Sequence, residues 1–233
     1  QRAALHRRIL RTTAGQALET LKLWTRPPAR NLELLAQIHG ADLYEAARLS
    51  GRGVIVAAPH FGNWELLNQY LASRGPIAVV YRPPDSTVGE EFLQRVRGVD
   101  NVRQVRAEGA AVRQLRKELK DGAAIGILPD QQHKDGDGWC ATFLGGQELT
   151  QTLLARLGQR TGATVLLAWC ERIDGGPGFA LHIEPAPAAM AAADGQVAVA
   201  ALNAEVERIA ARDLAQYQWT YKRYTLRPPE SGE

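Results

Sequence analysis

Gly53-Val54-Ile55-Val56-Ala57-Ala58-Pro59-His60-Phe61-Gly62-Asn63-Trp64-Glu65 changes character twice within thirteen residues. Residues 54–58 are continuously apolar, with no polar residue at alternate positions, and Pro59 closes the run. A segment this short and this uniform reads as a strand covered on both faces. Asn63 stands just before Trp64-Glu65-Leu66-Leu67, where a side-chain oxygen can cap a helix, and Gly62 supplies the backbone freedom for the turn between. Strand, turn and helix in this order form the repeating unit of an α/β domain.

The same alternation continues downstream. Residues 77–80, 123–128 and 164–170 read as further buried strands, and residues 179–183 as one more, joined by a hairpin through Asp174-Gly175-Gly176-Pro177-Gly178. Between them, Trp64–Ser73, 86–97, Gly109–Lys120 and 150–161 read as helices, and 195–216 as a closing helix. The expected fold is α/β: a central, twisted, mostly parallel sheet flanked by helices. Residues 1–50 read as a helical N-terminal segment without strands, broken at Arg26-Pro27-Pro28 and continuing over 31–38 and 41–49. Residues 129–146 read as a long loop leaving the edge of the sheet, where open α/β sheets place their ligands.

A chain of 233 residues with 45% hydrophobic content and no long spacer is expected to be a single domain. Its longest apolar runs fall far short of the ~20 residues needed to span a bilayer. The net charge of +3 and pI near 9.0 are too modest to indicate nucleic-acid binding. The charge is unevenly placed, since Arg2, Arg7, Arg8 and Arg11 precede the first acid, Glu19. Leu10, Ala14, Ala17, Leu21 and Trp24 add an apolar stripe at helical spacing. Two readings of this helix stay open: contact with anionic lipid headgroups, or packing on its own domain with solvated arginines. Cys140 and Cys170 read as packing thiols of a reducing environment. Because the chain opens on Gln1 and its single methionine is Met190, an N-terminal membrane anchor is expected to be missing from it.

The chemistry centres on His60 and Glu65. In one continuous helix, residues five apart diverge by about 140°. With His60 in the turn and Asn63 as cap, Glu65 falls in the first helical turn and is expected to reach back to the imidazole. A histidine oriented by a carboxylate can deprotonate an alcohol as it attacks a carbonyl. No serine or cysteine stands nearby in sequence, so direct attack by the acceptor is the simpler mechanism. A metal-dependent hydrolase with His60, Glu65, His133 and Asp135 or Asp137 as ligands is a rival, but neither HExxH nor HxH occurs. A non-enzymatic lipid-binding module is another.

His60-Phe61-Gly62-Asn63-Trp64-Glu65 resembles the signature of the lipid A biosynthesis acyltransferases, the lauroyl and myristoyl transferases of Gram-negative bacteria. Tyr81-Arg82-Pro83, the stretch 95–98, Gly126-Ile127-Leu128-Pro129-Asp130-Gln131, Phe143-Leu144-Gly145, Thr161-Gly162-Ala163 and the stretch 217–224 match in the same order. The resemblance implies the glycerolipid acyltransferase-like fold and an O-acyltransferase at the cytoplasmic face of the inner membrane. It implies an acyl carrier protein thioester as donor, a lipid A precursor as acceptor, and no cofactor or metal. Carried over by position, His60 is the base and Glu65 its partner. Arg82, Arg97, Asp130, Gln131 and Asn63 bind substrate or shape the site, Asp130 by orienting an arginine. Gln147 and Glu148 stand where the family commonly has alanine, which leaves another acceptor open: a glycerolipid, a glycolipid or an envelope pigment.

Overall fold

The computed structural model describes residues 2–81, 84, 86–98, 101–106, 109–130, 138–174, 176 and 178–220. The chain opens with α1 (Arg2–Thr25) and α2 (Pro28–Leu32), then β1 (Leu35–His39) and α3 (Ala41–Leu49). Next come β2 (Val54–Ala57), α4 (Trp64–Ser73), β3 (Ile77–Tyr81), α5 (Thr87–Arg97), β4 (Val102–Arg106), α6 (Gly109–Lys120) and β5 (Ala124–Ile127). A hairpin of β6 (Gly138–Phe143) and β7 (Gly146–Gln151) leads into α7 (Leu153–Thr161), β8 (Thr164–Arg172) and β9 (Phe179–Pro185). A short 3-10 turn at Ala188–Ala191 precedes α8 (Gly195–Ala210).

Among the described residues, seven strands form one sheet in the order β1-β9-β8-β2-β5-β3-β4. The strands from β8 to β4 run parallel to one another, while β9 is antiparallel to β8 and β1 parallel to β9. The sheet is therefore mostly parallel and helix-flanked, as its sequence pattern requires.

Strand side chains alternate between two apolar layers. Ile55, Ala57, Ile125, Ile127, Leu167 and Trp169 pack with Leu115 and Leu119 of α6, Leu154 and Leu157 of α7, and Leu202, Val206 and Ile209 of α8. Val54, Val56, Leu166, Ala168 and Cys170 point the other way, to Leu23 of α1, Tyr44 and Ala47 of α3, and Leu66, Leu67 and Leu71 of α4. Covering on both faces explains why residues 54–57 carry no polar alternation.

Five expectations fail locally. Residues 35–38, expected in a helix, fall in β1, an edge strand held by β9 and nearly open on its other sides. Its register rests on tertiary contact: Phe179 donates to the Leu34 carbonyl at 2.9 Å. Gly40 then turns at φ 74° so close to Ile183 that a Cβ there would sit 2.0 Å from its carbonyl oxygen. Part of the expected 129–146 loop is the β6–β7 hairpin, turned by Leu144 and Gly145, both at positive φ. Thr150 and Gln151 belong to β7, so α7 starts later than expected, and Glu148 is buried in that strand beside the Thr150 hydroxyl at 3.0 Å. The closing helix ends at Ala210, and the residues after it return to the sheet edge. β4 has no counterpart among the expected strands.

Candidate active site

β2 and β5 are parallel neighbours, with Ala57 opposite Ile127. The Ala58 amide donates to the Ile127 carbonyl at 2.9 Å, carrying the pairing one step further. Each strand is then followed by a proline, Pro59 or Pro129, and by one polar residue, His60 or Asp130. Equal offsets from paired strand ends place these two side by side on the carboxyl edge of the sheet. Asp130 Oδ2 accepts the His60 backbone N–H at 2.8 Å, and Oδ1 lies 2.7 Å from Nδ1. Both side chains are buried, each 1% exposed. A carboxylate on Nδ1 selects the Nδ1–H tautomer and leaves the basic lone pair on Nε2.

The turn carrying His60 is tied down on two sides. Gln218 donates its amide to the His60 carbonyl at 2.9 Å, Gly62 donates to the Gln216 carbonyl at 3.0 Å, and Phe61 bridges Tyr217. On the other side the Asn63 amide donates to the Cys170 carbonyl of β8 at 2.7 Å. Gly62 has φ 64°, and a Cβ there would fall 1.9 Å from the Cys170 oxygen, so only glycine fits. The match in the stretch 217–224 thus acquires a structural meaning at its first residues, which pair with the turn carrying His60.

Asn63 caps α4 by accepting the Leu66 amide at 3.0 Å and donates its own amide to Glu19 Oε2 of α1 at 3.1 Å. Glu19 in turn accepts Arg172 Nε at 2.9 Å. Expected to bind substrate, Asn63 has both ends of its side chain engaged inside the protein and braces α4 against α1.

Glu65 does not take the place expected of it. Its Oε1 accepts from Arg97 Nε at 2.9 Å and lies 2.7 Å from Arg97 Nη2, while the carboxylate on the imidazole is Asp130. The reason is geometric: the first turn of α4 aims residue 65 towards α5, whereas β5 delivers Asp130 to the ring in register. Burial raises the Glu65 carboxyl above its usual range, opposed first by Arg97, then by Trp24 and last by His60. The Arg97 guanidinium lies 4.7 Å from the centre of the Trp64 ring, and Trp64 meets His60 edge-on at 5.7 Å. His60, Trp64, Arg97 and Glu65 thus form one contiguous cluster beside Asp130.

Asp130 holds the histidine, a contact the sequence reading missed. The signal was the shared spelling of the two strand ends, proline then a polar side chain, which has meaning only once β2 and β5 are known to be neighbours. Arg82, Gln131, His133, Asp135, Asp137 and the stretch 221–224 lie outside the described residues. The Cys170 thiol, near the turn in sequence order of the sheet, is fully buried, and desolvation holds it far above the ordinary thiol range. It is a packing group and no nucleophile.

The family model for bacterial lipid A biosynthesis acyltransferase matches residues 1–225. The chain is also similar to the lipid A biosynthesis palmitoleoyltransferase of Escherichia coli K12, with 28% identity over 219 residues, covering 92% of this chain and 69% of that protein. It matches the lipid A biosynthesis acyltransferase of Shigella flexneri with the same identity and coverage.

Proposed function

This chain belongs to the bacterial lipid A biosynthesis acyltransferase family, and we propose that it moves a fatty acyl group from an acyl carrier protein thioester to a hydroxyl of a lipid A precursor. His60 is the general base, Asp130 its orienting carboxylate. The acceptor hydroxyl attacks the thioester carbonyl while Nε2 takes its proton. The C–O bond forms, the tetrahedral oxyanion collapses, and the C–S bond breaks. The imidazolium then returns the proton to the departing thiolate. The inert, buried Cys170 favours this direct attack over a covalent enzyme intermediate.

The amides of Phe61, Gly62, Asn63 and Leu66 are committed within the protein. The Trp64 and Glu65 amides, in the first turn of α4 where helices leave N–H groups unpaired, are the donors we assign to the oxyanion. Glu65 anchors Arg97, whose guanidinium is suited to a phosphate of the acceptor or of the carrier's prosthetic arm. In this reading the enzyme works at the cytoplasmic face of the inner membrane, though no helix among the described residues is long and apolar enough to cross one.

The observation that carries the reading is the pair of 2.7 and 2.8 Å contacts from Asp130 to His60 at the carboxyl edge of the sheet. The test is mass spectrometry of lipid A from a host lacking its own late acyltransferases. Expression of this chain is expected to add one acyl chain, and His60→Ala to add none. Acylation of a different lipid, with lipid A unchanged, overturns the acceptor and keeps the chemistry.

A further inference from the structure

The structure fixes which side of the first helix faces outward. The inward side of α1 holds Leu23, which is buried, and Glu19, which braces Asn63 and Arg172. The apolar stripe noted in the sequence faces outward from Leu10 to Leu21. Leu10 is 59% and Leu21 54% exposed, and Leu18 on the adjacent ridge is 70% exposed. These are large side chains on one long helix, and an outward stripe of this kind is not a packing surface for its own domain. At 100° per residue, Leu10 and Leu21 share one ridge with Ala14 and Ala17, and Arg7, Arg11 and Lys22 share the adjacent ridge with Leu18. Glu19 is the single acid of α1 and is turned inward, so this helix accounts for the whole positive excess of a chain whose net charge is only +3.

The apolar surface continues onto a second element. Val88 and Phe92 of α5 are 74% and 50% exposed, and the Phe92 ring meets Trp24 edge-on at 5.6 Å, one turn beyond Leu21. The same α5 carries Arg97, which holds Glu65.

We propose that the outward face of α1, extended by Val88 and Phe92 of α5, is the surface by which the protein lies flat on a bilayer containing anionic lipid. The leucines enter the headgroup–acyl boundary while Arg7, Arg11 and Lys22 extend to the phosphates on one flank. Charge complementarity selects this occupant over a second copy of the chain, which would set the same arginines against each other across a two-fold axis. The placement has a functional consequence. α1 reaches the catalytic turn through Glu19 and Asn63, and α5 reaches it through Arg97 and Glu65. The docked face is thereby linked by two pairs of contacts to the turn that carries His60. The consequence for catalysis rests on the proposed acyl transfer, whereas the docking itself does not.

Sedimentation with vesicles of phosphatidylcholine, with and without phosphatidylglycerol, tests the surface. The full chain is expected to partition onto the anionic vesicles and weakly onto neutral ones. Arg7→Glu with Arg11→Glu should cut the anionic partitioning by about tenfold or more. Leu18→Ser with Leu21→Ser should cut it on both vesicle types. Circular dichroism and acyl transfer to a detergent-dispersed acceptor are expected to stay at wild-type levels in both double variants. Equal binding to both vesicle types, or unaltered binding in both variants, overturns the proposal. So does a solution dimer abolished by the leucine substitutions while vesicle binding persists. Absence of transfer to the dispersed acceptor by the wild type would count against the proposed reaction and leave the vesicle result to stand by itself.

Discussion

Asp130 places both of its oxygens on one residue, the first on the His60 backbone N–H and the second on Nδ1. Losing its charge therefore disturbs the tautomer as well as the position of the ring. Asp130→Asn is expected to lower the transfer rate by about a thousandfold or more, as inverted tautomers do in other buried carboxylate–histidine pairs. His60→Ala should cost roughly 10²- to 10⁴-fold with the circular dichroism spectrum unchanged. Glu65→Gln separates the two carboxylates. Nitrogen NMR of the imidazole should still report the Nδ1–H tautomer in that variant and a changed one in Asp130→Asn. If Glu65→Gln alone inverts the tautomer, the roles assigned to the two acids are exchanged. Glu65 also carries a pH signature. Because burial raises its folded carboxyl above the unfolded value, the folded state holds that proton more tightly. Its contribution to stability is greatest below the unfolded pKa and declines as pH rises through the raised folded one. In urea titrations, wild type is expected to lose stability relative to Glu65→Gln as pH increases across that window.

Among the elements, the turn between β2 and α4 is the least tolerant of change. Gly62 sits at φ 64° with the Cys170 carbonyl where a side chain would begin, and the blocking atom belongs to the backbone of a buried strand. Gly62→Ala is expected to destabilise the fold by roughly 2 to 4 kcal/mol and to displace His60, lowering both the urea midpoint and turnover. A midpoint within error of wild type would show that β8 yields. This turn was legible in the sequence because each of its residues answers a local need: an apolar run, a proline, a glycine, a capping asparagine. β1 and the β6–β7 hairpin were not. Residues 35–39 carry no alternation because an edge strand held only by β9 buries almost nothing. The hairpin turns on Leu144 and Gly145, where leucine in a left-handed conformation gives no turn signal.

At the scale of the whole molecule, one sheet separates two apolar layers, and access to either requires the layers to part. Cys170 lies in β8 between them, whereas Cys140 on the hairpin is partly exposed. A thiol reagent at mildly alkaline pH is expected to modify Cys140 alone in the native protein and both cysteines after unfolding. Rapid native labelling of Cys170 would mean that the covering helices open far more easily than their burial implies. The sequence by itself determined the fold class, the two-sided burial of the central strands and the histidine at the end of β2, because hydrophobic period and capping are local properties that each segment carries alone. Only the tertiary structure decided which carboxylate meets the imidazole and which way the first helix turns its apolar stripe. Strand order brings Asp130 beside His60 across seventy residues, and the contacts of Glu19 and Leu23 set the helix's rotation. Neither depends on anything written near the residues concerned.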